Sequence, residues 1–244
     1  MRKVRNDMVP IWLHVLGVLS LVSGLLVAGW IGWDETRRPQ PMWIMNVVWP
    51  VAALFGTVLV LWGYLKFGRS AGDSAAKSRR RTPDTPFSVM VGKGALHCGA
   101  GCTLGDIVAE SLATFFPGVA LWFGWRSLFD EKMFAVWILD FLFAFLLGVA
   151  FQYFTIRPMR GLSVRDGMIE ALKADTLSLT AWQVGMYGFM AFAQFGVFRP
   201  MLGVSLTAET VEFWFMMQFA MIAGFLTSYP VNWWLLKAGI KEKM

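Results

Sequence analysis

MFAVWILDFLFAFLLGVAFQYFTI, residues Met133–Ile156, decides the fold, and Asp140 is its only charged residue. The run is continuously apolar and lacks the alternation of a half-buried strand. As a helix rising ~1.5 Å per residue it outreaches the ~30 Å of bilayer hydrocarbon. Only a helix satisfies such a backbone without a partner. Working outward, Pro10–Trp33, Met42–Lys66, Val89–Phe116, Thr176–Phe198 and Val211–Leu236 read the same way. The expectation is an all-α, polytopic membrane helix bundle with about six transmembrane helices.

Composition agrees. Hydrophobic residues make up 57% of the 244 and charged residues 16%, where a soluble domain carries nearer a quarter charged. Thirteen Trp and 21 Phe suit the lipid–water interface. The first apolar run is too long for a signal-peptide core and ends in Trp30-Ile31-Gly32-Trp33, with no small-residue cleavage site. Two cysteines make no disulfide framework. The net charge of +6 reflects where basic residues sit, not a nucleic-acid partner.

Those positions set an expected orientation. Arg2, Lys3, Arg5, Lys66, Arg69, Lys77, Arg79, Arg80, Arg81, Arg157, Arg160, Arg165, Lys173, Lys237, Lys241 and Lys243 fall on one side of a six-span chain. Arg37, Arg38, Arg126, Lys132 and Arg199 fall on the other, and Lys93 lies within a span. This positive-inside bias places both termini in the cytoplasm of a bacterial inner membrane. Residues 1–84 read as two N-terminal spans plus a basic loop, and 85–244 as a four-helix membrane domain. Gly68–Ser88 reads as the flexible loop, and Ser163–Asp175 as a short amphipathic surface helix with Val164, Met168, Ile169 and Leu172 on one face.

The third span carries the chemistry. Cys98, Cys102, Asp106 and Glu110 follow at four-residue intervals and fall on one helical stripe. His97 stands about 100° round from it. Ionisable groups at membrane depth face a bundle interior, a partner or water. Two thiols spaced this way suit a soft cation such as Cu(I), with His97 or a sulfur from another helix as third donor. They suit a disulfide less, because helix-stacked Cβ atoms stand farther apart than the ~3.8 Å it prefers. The competing reading is packing, since Gly92, Gly94, Gly99, Gly101 and Gly105 also make a smooth seam.

Met186 and Met190 in the fifth span and Met217 and Met221 in the sixth lie at similar depth, near Gln183, Gln194 and Gln218. Thioethers and thiolates together select Cu(I), although methionine is as often a flexible core filler. Asp140 is a further intramembrane carboxylate, and His14 reads as a packing residue.

The block His97-Cys98-Gly99-Ala100-Gly101-Cys102-Thr103-Leu104-Gly105-Asp106 is joined by Met186-Tyr187-Gly188-Phe189-Met190, Thr227-Ser228-Tyr229-Pro230-Val231-Asn232-Trp233-Trp234 and Gly239-Ile240-Lys241-Glu242. Together they resemble a bacterial multipass family labelled a domain of unknown function, some members of which are loosely labelled copper-related. The resemblance runs from about Thr85 to the C-terminus and implies a shared fold and site.

The leading functional expectation is Cu(I) binding in transport or delivery. Cys98, Cys102, His97, Met186, Met190, Met217 and Met221 are its ligands, and Asp106, Glu110 and Asp140 its proton or cation path. The alternatives are a thiol oxidoreductase using Cys98 and Cys102, a carboxylate-lined proton or cation transporter, and a structural subunit. The expected partners are the lipid bilayer and either a second copy or another membrane protein. Phosphate-loop, Gly-x-Ser-x-Gly and His-Glu-x-x-His signatures are all missing from the sequence.

Overall fold

The computed structural model describes residues 9–70 and 85–241. Arg2, Lys3, Arg5, Lys77, Arg79, Arg80, Arg81 and Lys243 lie outside the described residues, as does most of the Gly68–Ser88 connection. Among the described residues the protein forms seven α-helices and no strands. They are α1 (Ile11–Arg37), α2 (Met45–Gly63), α3 (Phe87–Phe115), α4 (Gly118–Trp122), α5 (Lys132–Arg160), α6 (Val164–Ala191) and α7 (Val211–Lys237). A π-helical segment Tyr64–Gly68 extends α2, and another, Phe192–Leu202, extends α6. Every expected apolar stretch thus carries a helix. The additional one, α4, is a single short piece after Pro117, which has no N–H to continue α3.

Side chains at the helix starts fix where they begin. Ser163 Oγ accepts from the Asp166 amide at 3.1 Å, and Thr210 Oγ1 from the Phe213 amide at 3.3 Å. The cap at Ser163 opens a helix that does not stop at Asp175. Ser163–Asp175 is therefore not a separate surface helix but the first turns of α6, and Asp175 is fully buried.

α3, α5, α6 and α7 form an up-down-up-down bundle. A Cβ on Gly101 would stand 3.0 Å from the Gly148 backbone, and one on Gly105 2.5 Å from the Ala144 nitrogen. One on Gly185 would meet the Thr227 hydroxyl at 2.3 Å. From Gly101 to Gly105 the α5 contacts fall back from Gly148 to Ala144, and from Gly185 back to Ser178 the α7 contacts advance from Thr227 to Asn232, so the neighbours are antiparallel. Small residues at the crossings let the backbones approach. Phe87, Arg160, Ser163 and Lys237 thus share one end of the bundle, here the Lys241 end. Phe115, Lys132, Leu202 and Val211 share the other, the Lys132 end.

α1 lies along α7 and runs parallel to it. His14 Nδ1 meets Glu212 Oε1 at 2.7 Å, and Ser20 Oγ donates to Gln218 Oε1 at 2.6 Å. Only the narrow seam of Gly17, Gly24 and Ile31 is buried along most of α1, while Leu25 and Leu26 are 63% and 69% exposed on the outer face. So much contiguous apolar surface is unfavourable in water and favourable in lipid.

α2 departs furthest from expectation. Thr57 has φ 39° and ψ −115°, which breaks the helix. Beyond it the chain returns, bringing Tyr64 to Trp49 with ring centroids 5.6 Å apart. A straight helix would separate those residues by about 22 Å. Arg69 makes a bidentate pair with Asp34 at 2.8 and 2.7 Å, and Gln40 donates to the Gly68 carbonyl at 2.9 Å. The segment Met45–Gly68 is a re-entrant hairpin. It enters from the Lys241 end, turns beside Gly24 at mid-bundle and leaves where it entered.

By length and composition α1, Met45–Gly68, α5 and α7 are apolar enough to cross a membrane. The folded path of Met45–Gly68 removes it from that set, whereas α3 and α6 traverse the bundle despite their polar residues. The chain enters α1 at the Lys132 end and leaves α7 at the opposite end. The expectation that both termini lie on one side counted Met45–Gly68 as a crossing, and the termini themselves lie outside the described residues.

Candidate functional site

The expected stripe on α3 faces inward. Cys98, Cys102, Asp106 and Glu110 are 1%, 0%, 0% and 8% exposed. Glycines flanking them press α3 against two partners: Gly101 and Gly105 against α5, and Gly99 against the Trp182 ring of α6. Thr103 bonds back to Gly99 O at 2.8 Å and also reaches Met221 Sδ of α7 at 3.8 Å.

Polar groups follow the stripe from end to end. At the Lys132 end, Glu110 lines a cavity of about 110 Å³ with Thr114, Lys132, Thr207 and Glu209. Lys132 Nζ donates to Ala113 O at 2.9 Å. A hydrogen bond from Thr207 holds the Glu209 carboxyl below its ordinary range. Deeper in, Asp106 of α3 and Asp140 of α5 are fully buried, and neither has a hydrogen bond on either oxygen. Next come the adjoining thiols of Cys102 and Cys98, both free.

Beyond the thiols lies a part of the site that the sequence reading did not assign. Asp175 sits over Gly148, facing Cys98, Gln152 and Lys241, with both oxygens unpartnered. Lys241, 2% exposed, donates to Asn232 Oδ1 at 2.7 Å and Gly94 O at 3.1 Å. Burial pushes its ammonium below the usual lysine range, against the opposing pull of Cys98, Asp175 and Cys102. Gln152, inside the run that decided the fold, was a readable signal, since an amide amid apolar residues must find a use. Asp175 was hidden by its polar surroundings in sequence, and Lys241 by its resemblance to an ordinary topogenic charge.

The metal ligands expected from sequence are all buried. His97 turns toward α5, its Nε2 3.3 Å from Thr155 Oγ1 and its ring stacked on Phe151. Its Nδ1 has no partner. Among the described residues, no three His, Cys, Asp or Glu side chains form a group able to hold a metal ion. Met186, Met190, Met217 and Met221 are buried in the same apolar cluster as the two cysteines. Met217 and Met221, with Thr103, Asp106 and Gln218, also line a cavity of about 330 Å³. His14 is tied to Glu212 as a packing contact between α1 and α7.

The hairpin tip lines one side of this cavity through Leu54 and Phe55. Leu54 O, freed by the break at Thr57, accepts from Gln218 Nε2 at 2.7 Å. Irregular backbone is tolerated at membrane depth only where protein or a cavity satisfies it.

Residues 89–241 match the model of a family described as a domain of unknown function (DUF4396). No curated protein and no solved structure matches the chain.

Proposed function

The chain belongs to the DUF4396 family, and from that premise we propose that it is a membrane transporter moving protons or a small monovalent cation along the α3 stripe. The observation that carries this reading is the file of buried carboxylates Glu110, Asp106, Asp140 and Asp175, three of them without a hydrogen bond on either oxygen. An ionised carboxylate isolated in a low-dielectric interior costs many kcal/mol. Each acid therefore needs a proton or a cation as companion, and a file of such acids offers successive sites to either. The broken helix beside them is a further feature of transporters, in which unwound segments near the midplane flank the ion sites.

In this reading five helices cross a bacterial inner membrane and the hairpin enters from the cytoplasmic face. That face is the Lys241 end, where Arg37, Arg38, Arg69, Arg157, Arg160, Arg165, Lys173 and Lys237 concentrate. Glu110 meets the periplasmic side through its small polar cavity, and Asp106 and Asp140 carry the ion past the midplane. The thiols continue the polar lining.

The test is flux of purified protein in liposomes under a pH or Na⁺ gradient. Asp106→Asn should cut flux by about tenfold or more, while the Cys98→Ser/Cys102→Ser pair keeps most of it. Equal flux from Asp106→Asn and the unaltered chain would end the proposal.

The soft-metal reading keeps one supporting observation. The two free thiols adjoin, and Met221 reaches Thr103 beside them. A Cu(I) held there would need sulfur alone as ligand. Copper that co-purifies with the chain and is lost in the double serine variant would favour it over the carboxylate path.

A further inference from the structure

Lys241 is held in the bundle by the way α7 ends. Gly239, at φ +70°, reverses the chain, and the amides of Ile240 and Lys241 both return to Leu235 O at 3.0 and 3.3 Å. Only glycine takes that conformation without strain. The reversal sends the lysine side chain inward, where its ammonium donates to Gly94 O and Asn232 Oδ1. Asn232 in turn donates to Ser178 Oγ at 2.7 Å. One turn from Ser178, Asp175 lies over Gly148, and one turn from Gly148 lies Gln152; their buried side-chain oxygens have no partner.

The chemistry of the surroundings identifies the guest. A backbone carbonyl, a hydroxyl, amide oxygens and one carboxylate are the hard donors that bind hydrated-class cations, not soft ones. They outnumber what an ammonium with three N–H groups can use, and two of those groups are already spent on neutral acceptors. Lys241 closes no ion pair with Asp175, whose oxygens have no partner. A staple that merely fixed the tail would be expected to close it.

We propose that Gly94, Gln152, Asp175, Ser178 and Asn232 form a monovalent inorganic cation site, in which the Lys241 ammonium is a tethered resident displaced when Na⁺ enters. The exchange is one positive charge for another, so Asp175 is never left alone. This rests on the ion-path reading and names its substrate class and its inner site.

The exchange is read in the full-length chain in detergent, with Na⁺ compared against choline at equal ionic strength. Na⁺ should raise the acetylation rate of Lys241, followed by mass spectrometry, severalfold over choline. A rate indifferent to the cation overturns the proposal. In Lys241→Gln the vacated site should give a Na⁺-specific rise in Tm of about 2–4 °C, which disappears in Lys241→Gln/Asp175→Asn. A rise that survives the second change, or none at all, also overturns it. Should Lys241→Gln fail to fold, the labelling of the unaltered chain decides alone. The two readings fail separately: cation-blind labelling with Asp106-dependent flux sinks only this site, and Na⁺-dependent labelling without flux sinks only the path.

Discussion

Gln218 and Leu54 join α7 to the tip of the re-entrant hairpin. The amide Nε2 donates to the free carbonyl at 2.7 Å, while Gln218 Oε1 accepts from Ser20 Oγ at 2.6 Å. One side chain thus completes the hydrogen bonds of a broken helix and anchors α1 at the same depth. Gln218→Leu keeps the volume and removes both bonds, leaving Leu54 O and Ser20 Oγ unsatisfied. The expected loss is about 1–3 kcal/mol, read as a lower Tm in detergent. An unchanged Tm would mean that water reaches the tip.

Because α2 doubles back, α1 begins at the Lys132 end of the bundle and α7 finishes at the Lys241 end. In a Cys98→Ser/Cys102→Ser background, single cysteines at Ile11 and Lys237 should react with an impermeant maleimide from opposite sides. Reaction from the same side would restore a straight second span and contradict the Trp49–Tyr64 contact.

The glycines divide by what surrounds them. Gly105→Ala places a methyl 2.5 Å from the Ala144 nitrogen, backbone against backbone, so α3 and α5 must separate. Overpacking of this kind costs about 1–3 kcal/mol, and here it also disturbs the Asp106–Asp140 level. Gly92→Ala and Gly188→Ala meet nothing within 4 Å and should leave both Tm and flux unchanged. Equal behaviour of all three variants would refute the close crossing.

The contrast between what the sequence shows and hides follows from the physics of lipid. Continuous apolar runs fix helices because the bilayer leaves the backbone no other choice, and the inward stripe of Cys98, Cys102, Asp106 and Glu110 follows from spacing alone. The reversal at Thr57 was hidden, because a hairpin buried in apolar surroundings has the same composition as a span. The charge count rested on a straight second span. Arg37 and Arg38 changed sides once α2 ceased to cross, and the basic bias still survived on the Lys241 end. Asp175 was missed for a related reason, since a polar first turn reads as surface even when the helix it opens runs into the bundle.

At the Lys132 end a clamp outside the spans should show a pH signature. Arg199 meets Glu131 with both guanidinium nitrogens, the nearer at 2.5 Å, tying the start of α5 to the π-helical end of α6. That guanidinium holds the Glu131 carboxyl below its ordinary value of 4.5. A carboxyl whose folded value is depressed stabilises the fold fully above its unfolded value and loses that contribution as pH falls through the folded one. Both partners are about a third exposed, so the contribution is at most about 1 kcal/mol. Glu131→Gln should therefore lower Tm slightly at pH 7, and the gap to the unaltered chain should close as pH drops below 4.5. High salt should narrow it too. A gap that widens toward acid would show that Glu131 is instead favoured in its neutral form, and that the α5–α6 tie is not ionic.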